Sequence, residues 1–343
     1  MKPLPGARRT RLLVALAGMS LLATACGQDL TIGDDGGSAE AACADYPKKQ
    51  DVTMVVGRSP GGGHDEDARF LAPLIEKELG ATVVVENVDG AGGRVAAEDL
   101  AKGDPDGYTI HMMEPNGLAA LQLVQDTSYD VEKSYTYLGL FNERPSVFAV
   151  AADSPIKTFD DLVAAGKKRK LKFATAGLTS PNFVNGVIAA DSAGMQITPV
   201  PHEGSPEAIT SVVRGDTDFT MFSGDSVAEG VKEGDLRALA QFGEKPLDML
   251  GDVPTASEVG LENLQGELTS ALTLVAPPDL PPCVEKPLTK AVQKSLDSPK
   301  LDEFAADGRI VNPGPPQAAR QVVGHSLETY QAYTDVFKQY LKG

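Results

Sequence analysis

Residues 51–93 read DVTMVVGRSPGGGHDEDARFLAPLIEKELGATVVVENVDGAGG, and the alternation inside this stretch decides the fold class. Asp51 to Val56 is short and rich in β-branched residues, as a strand requires. It runs into Pro60, Gly61, Gly62 and Gly63, after which Ala68, Leu71, Ile75 and Leu79 recur on one helical face. Gly80 stands where a helix can end in the left-handed conformation, and Ala81 to Glu86 supplies the next strand. A second glycine loop, Asp89 to Gly93, opens another helix through Lys102, and Asp106-Gly107 turns the chain into Tyr108 to Met113. Strand, loop and helix repeated in this order predict an α/β fold with a mostly parallel sheet covered by helices.

Working toward the C-terminus, Phe148 to Ala151 reads as a strand and the alternation then restarts. Helices are expected near Phe159 to Ala165, Phe183 to Ala193, Pro206 to Arg214 and Val227 to Lys232. The strands between them are Leu171 to Thr175, Gln196 to Pro199, Phe219 to Phe222 and Arg237 to Gln241. Ala271 to Val275 is a last strand before Pro277 to Pro282, and Cys283 to Leu296 and Pro316 to Leu341 are helical segments. A chain of 343 residues is long enough for two such units.

Toward the N-terminus, Lys2, Arg8, Arg9 and Arg11 precede an uncharged, largely apolar run from Leu12 to Ala25. That run is shorter than the ~20 residues a bilayer span needs, so residues 1–25 read as a signal peptide. Leu22 to Cys26 resembles the lipobox of bacterial lipoproteins, which makes Cys26 the lipidated first residue of the mature chain and 26–42 a flexible Gly- and Asp-rich linker. The protein is then exported and lipid-anchored at the outer face of the cytoplasmic membrane, or on its periplasmic side. Only Cys43 and Cys283 remain, in a compartment where disulfides persist; they form one bridge or stay unpaired.

With 48 acidic against 31 basic residues the formal net charge is −17, and removing residues 1–25 takes away four bases and no acids, leaving −21. No basic stripe is present to displace counterions from nucleic acid. A composition 42% hydrophobic and 23% charged also excludes wholesale disorder. An anionic partner must therefore be held by local geometry.

Gly90-Ala-Gly92-Gly93 mimics a dinucleotide fingerprint but lacks its third glycine and reads as a tight turn. His64-Asp65-Glu66-Asp67 reads as helix capping and not as a metal cluster. Gly224-Asp225-Ser226 leaves open a hydrolase using Ser226, although no Gly-x-Ser-x-Gly elbow occurs. Loops rich in Gly, Ser, Thr and Pro follow the strands at Ser59 to Gly63, Glu114 to Gly117, Ala176 to Ser180, His202 to Ser205 and Ser223 to Asp225. Ligands of open α/β sheets lie beyond the carboxyl ends of strands, where helix N-termini can grip a carboxylate.

In order, these motifs resemble the substrate-binding proteins of tripartite tricarboxylate transporters, the TctC or Bug family. The family's Pro-Gly-Gly-x-x-Asp-x-x-Ala-Arg is matched by Pro60, Gly61, Gly62, Asp65, Ala68 and Arg69. Val85, Asn87, Gly90, Ala91, Gly92 and Gly93 match a second motif, and Asp104 to Thr109 a third. Val200-Pro-x-x-Gly204, Arg237 to Ala240 and Asp252 to Gly260 follow in the family's sequence order. The resemblance implies a two-domain, type II periplasmic-binding-protein-like fold with the ligand cleft between domains. Domain 1 would be 43–149 plus 273–343 and domain 2 150–272, with crossover strands near Phe148 to Ala151 and Ala271 to Val275.

The resemblance further implies a monomeric receptor without cofactor, metal or catalysis. It would close by hinge motion on a small carboxylate and deliver it to integral-membrane permease subunits; a sensor for a signalling partner is the other non-enzymatic reading. Expected ligand contacts are Arg58, Ser59, Pro60, Gly61, Gly62, Asp65, Glu114 and Asn116 from the first domain. The second would contribute Ala176, Thr179, Ser180, His202, Gly204, Ser205, Ser223 and Asp225. Gly62 is expected to permit close backbone approach. Arg58 departs from the family pattern and offers a cation, whereas Glu114 or Glu203 in the cleft would repel an anion unless protonated or met by a ligand amine.

Overall fold

The computed structural model describes residues 43, 45–306 and 308–341; the expected signal peptide, the expected lipidation site Cys26 and the expected 26–42 linker lie outside them. The first half-sheet contains β1 (Val52–Val56), β2 (Val83–Asn87) and β3 (Thr109–Met113), joined by α1 (Gly63–Leu79), α2 (Arg94–Leu100) and followed by α3 (Pro115–Gln122). β1 pairs in parallel with both β2 and β3. A long strand, β4 (Thr136–Ala151), leads into α4 (Phe159–Lys168), β5 (Leu171–Thr175), α5 (Pro181–Ser192) and β6 (Ile197–Pro201). It continues through α6 (Ser205–Val213), β7 (Phe219–Ser223), α7 (Gly224–Glu233), β8 (Leu236–Gln241) and the returning strand β9 (Thr269–Ala276). Helices α8 (Pro282–Leu296), α9 (Lys300–Ala306), α10 (Pro316–Gln331) and α11 (Thr334–Leu341) end the described chain.

The strands are ordered β2-β1-β3-β9-β4-β7-β5-β6, with β8 also on β4. β4 and β9 join the halves. Thr136 to Pro145 of β4 pairs antiparallel with β9, whereas Ser146 onward pairs antiparallel with β7 and β8. Pro145, which has no N–H to donate, sits where the partner changes. The sheet is therefore mixed, not mostly parallel: the strands that leave and re-enter the first half run against their neighbours. Only the last part of β4 was legible as Phe148 to Ala151, because Gly139, Asn142, Glu143, Arg144 and Pro145 interrupt the apolar pattern. The expected helix Pro316 to Leu341 is broken at Ala332 and Tyr333 into α10 and α11, and α3 and α9 were not anticipated.

Helices cover both faces. In the first half Met54, Val56 and Ile110 meet Leu71 and Ile75 of α1 and Val284 and Leu288 of α8. In the second, Phe148, Phe173 and Phe219 pack with Phe183 and Val187 of α5, while Ala174 and Phe222 pack with Val212 of α6 and Val227 of α7 on the other side. Gly80 caps α1 at φ 74°, its N–H donating to Glu76 O. Cys43 and Cys283 are joined by a disulfide across 240 residues of sequence, fixing the start of the described chain to α8.

Arg144 lies within β4 and is 7% exposed. Its Nη2 is 2.6 Å from Asp67 of α1 and its Nε 3.3 Å from Asp225 of α7. Asn142, with its amide oxygen toward the guanidinium, accepts from Nε at 3.0 Å and Nη2 at 2.7 Å. Burial opposes the arginine charge, but Asp67 and Asp225 outweigh that cost and raise its pKa above the ordinary value. Asp67, read from sequence as a helix-start acid, is thus one half of a buried ion pair. Replacing Arg144 by Met would leave that buried carboxylate with only Arg309 Nη1, 3.8 Å away, and Arg144→Met should lose about 3–5 kcal/mol in urea unfolding; an unchanged midpoint would show the pair to be dispensable.

Candidate functional site

Helices α1, α3, α5, α6 and α7 begin just beyond the carboxyl ends of β1, β3, β5, β6 and β7. The first N–H groups of a helix have no intrahelical acceptor, which makes these starts suited to an anion. In the first half they surround a compact charged cluster. Arg58 Nη2 approaches Glu114 Oε2 at 2.6 Å, Ser270 donates to Glu114 Oε1 at 2.8 Å, and His64 Nε2 lies 3.3 Å from the same oxygen.

The Glu114 side chain is 9% exposed. Burial alone would raise its pKa, yet His64 and Arg58 outweigh burial and hold the carboxyl well below the usual range. The expectation that Glu114 needs a proton or a ligand amine is corrected: its charge is met from within the protein. Behind it His111 is buried, and burial, then Arg58 and His64, push its pKa down to about 3, so its ring is neutral. Gly57, Arg58, His64, His111 and Glu114 line a cavity of about 10 Å³, roughly the space of one water.

The other first-half residues are placed differently. Ser59 donates to Asp89. Asp65 is buried, accepts from Gly61 N–H at 2.9 Å and pairs with Arg69 at 2.9 Å; the Arg69 bond keeps its carboxyl low. It braces the Pro60 to Gly62 loop. A Cβ on Gly62 would meet nothing nearer than Ser59 O at 3.8 Å, so the protein itself demands no close approach there. Asn116 is buried, accepting from Ala271 N–H at 2.9 Å and donating to Ser326 at 3.0 Å; its amide supports the site from beneath.

In the second half Ser180 caps α5 by accepting from Phe183 N–H, and its hydroxyl donates to Gly177 O at 2.7 Å. Ala176 N–H donates to Asn182 Oδ1 at 3.1 Å. His202 N–H donates to Thr175 O at 2.8 Å, while its Nδ1 is buried without a partner. Glu203 is exposed, and Gly204 and Ser205 open α6. Asp225 is engaged by Arg144. Ser223 and Ser226 share a hydroxyl hydrogen bond at 3.1 Å, so the partner of the alternative nucleophile is another hydroxyl and not a histidine. Among the described residues no three His, Cys, Asp or Glu side chains gather as a metal site.

The two halves touch through Thr179, whose hydroxyl donates to Ala91 O at 2.8 Å. Gly90 to Gly93 form a tight turn in which all four residues have positive φ. A Cβ on Gly92 would fall 1.9 Å from Thr179 Oγ1, and one on Gly117 1.7 Å from Thr179 O. The glycines that this contact requires are therefore Gly92 and Gly117. The roles of His64, Ser270 and Arg144 also escaped the sequence reading. For Arg144 a signal existed, a lone cation inside the apolar Thr136 to Ala151 run.

Residues 68–327 match the family model described as tripartite tricarboxylate transporter family receptor. A UPF0065 protein of Agrobacterium vitis is 33% identical over 268 residues, 77% of each chain. MatC from Rhodopseudomonas palustris, solved with bound malate, has a TM-score of 0.75 at 26% identity, covering 84% of this chain and 99% of that one. A second R. palustris protein, solved with adipate, has a TM-score of 0.76 at 25% identity, covering 85% and 98%. These similarities extend over both half-sheets, which form a two-domain binding-protein fold.

A methyl group at Gly117 should hold the Thr179 loop away from α3. Gly117→Ala is expected to enlarge the radius of gyration in small-angle scattering with helical content retained. Gly63→Ala, where a Cβ meets nothing within 4 Å, should leave it unchanged; identical scattering from Gly117→Ala would show that closure does not rest on this contact.

Proposed function

The chain belongs to the tripartite tricarboxylate transporter receptor family, whose members are solute-binding receptors, and from that premise we propose that it captures a small carboxylate between its lobes and delivers it to a membrane permease. The observation that carries this reading is the Thr179–Ala91 hydrogen bond, which joins the loop before α5 to the Gly90 to Gly93 turn of the other half-sheet. The relatives solved with malate and adipate support the ligand class. We take the lobes to be 43–149 with 273–343 and 150–272, acting as a monomer. Binding uses N–H groups and hydroxyls from the Pro60 to Gly62, Thr179 to Ser180 and Gly204 to Ser205 loops, with Arg58 alongside. Nothing in this role requires bond making or breaking.

Mass spectrometry of small molecules released from the purified mature protein should recover a carboxylic acid chemically unchanged, and deleting the gene should abolish cellular uptake of that acid. Recovery of a converted product, or uptake that persists without the gene, would overturn the reading. We further propose that lipid on Cys26 tethers the receptor. Fatty-acid labelling should be lost in Cys26→Ser, and labelling that survives the change would refute the anchor.

A further inference from the structure

We propose that Arg58, His64 and Glu114 form a charge filter that favours ligands carrying a single carboxylate over dicarboxylates of the same length. The inference rests on the carboxylate-receptor reading and narrows its substrate class. Closing a cleft removes water, so each anionic group that enters must find a cation or several donors inside. Helix N-termini supply donors for one carboxylate. A second negative charge calls for an unmatched cation, and the arginines around these loops already have acidic partners. Arg58 is paired with Glu114 at 2.6 Å, Arg69 with Asp65, and Arg144 with Asp67 and Asp225.

Glu114 is not free to swing aside. One oxygen meets Arg58, the other accepts from Ser270 and faces His64, and the side chain is nearly buried. It takes the Arg58 guanidinium contact that a second ligand carboxylate would need for charge balance. A guanidinium bound to one carboxylate still has N–H groups to offer, and these suit a neutral amide or hydroxyl oxygen. The arrangement therefore accepts a carboxylate whose far end is polar but uncharged, and leaves no unmatched cation for one whose far end is ionised.

The test is calorimetric, using matched pairs: succinate, glutarate and adipate against their monoamides. For the wild-type protein the monoamide should bind more tightly than the diacid in the pair of best length. Glu114→Gln frees Arg58, and the diacid-to-monoamide affinity ratio should rise about ten- to a hundredfold, the worth of one charge-assisted contact. In Arg58→Gln/Glu114→Gln that gain should vanish, which a merely structural role for Glu114 would not produce. A wild-type preference for the diacid, or a ratio unmoved in Glu114→Gln that melts as a folded protein, overturns the filter and leaves the receptor reading intact. Absence of binding by every acid to all three proteins overturns the receptor reading and the filter with it.

Discussion

The guanidinium of Arg144, buried where β4 leaves one half-sheet for the other, is the constraint on which the remaining architecture depends. An unpaired charge in that position would be prohibitively costly. Asp67 must come to it from the first turns of α1 and Asp225 from the first turn of α7. The two helix starts are thereby held on either side of one strand, although they belong to opposite half-sheets. Desolvation offsets much of a buried pair's attraction, so its main consequence is geometric: it fixes where the loops that open these helices can stand.

The same economy of charge governs the rest of the cleft. The chain carries 48 acidic residues, yet Asp65 and Glu114, the buried acids of the first-half loops, are paired within the protein. Asp65 is held by Arg69 and by the Gly61 N–H; Glu114 is held by Arg58, Ser270 and His64. Ordered in this way, they brace loops without filling the cleft with unmatched negative charge. His111 remains neutral beneath them because burial, then Arg58 and His64, disfavour its protonation.

The contact between the half-sheets at Thr179 depends on a second kind of constraint, the absence of side-chain atoms. Thr179 reaches Ala91 only because Gly92 and Gly117 carry no Cβ. The Gly90 to Gly93 turn serves that contact with a run of positive φ angles which few other residues adopt. Its likeness to a phosphate-binding loop is a consequence of needing the same backbone freedom for a protein partner.

What the sequence determined by itself was local: the βα alternation from Asp51 to Met113 and from Phe148 to Gln241, the Gly80 stop, and the glycine- and hydroxyl-rich loops at strand ends. Motifs in order were also enough to identify the family, since a conjunction of short signals survives where each alone is ambiguous. The structure alone decided the antiparallel course of β4 and β9, the breaking of the last helix, and the partners of every charged site residue. Periodicity reports which face of an element is apolar, but the Arg58–Glu114, Arg144–Asp67 and Glu114–Ser270 contacts join residues 56, 77 and 156 positions apart. Whether an acid repels a ligand or is already neutralised is a property of those distances in space, and no local pattern records them.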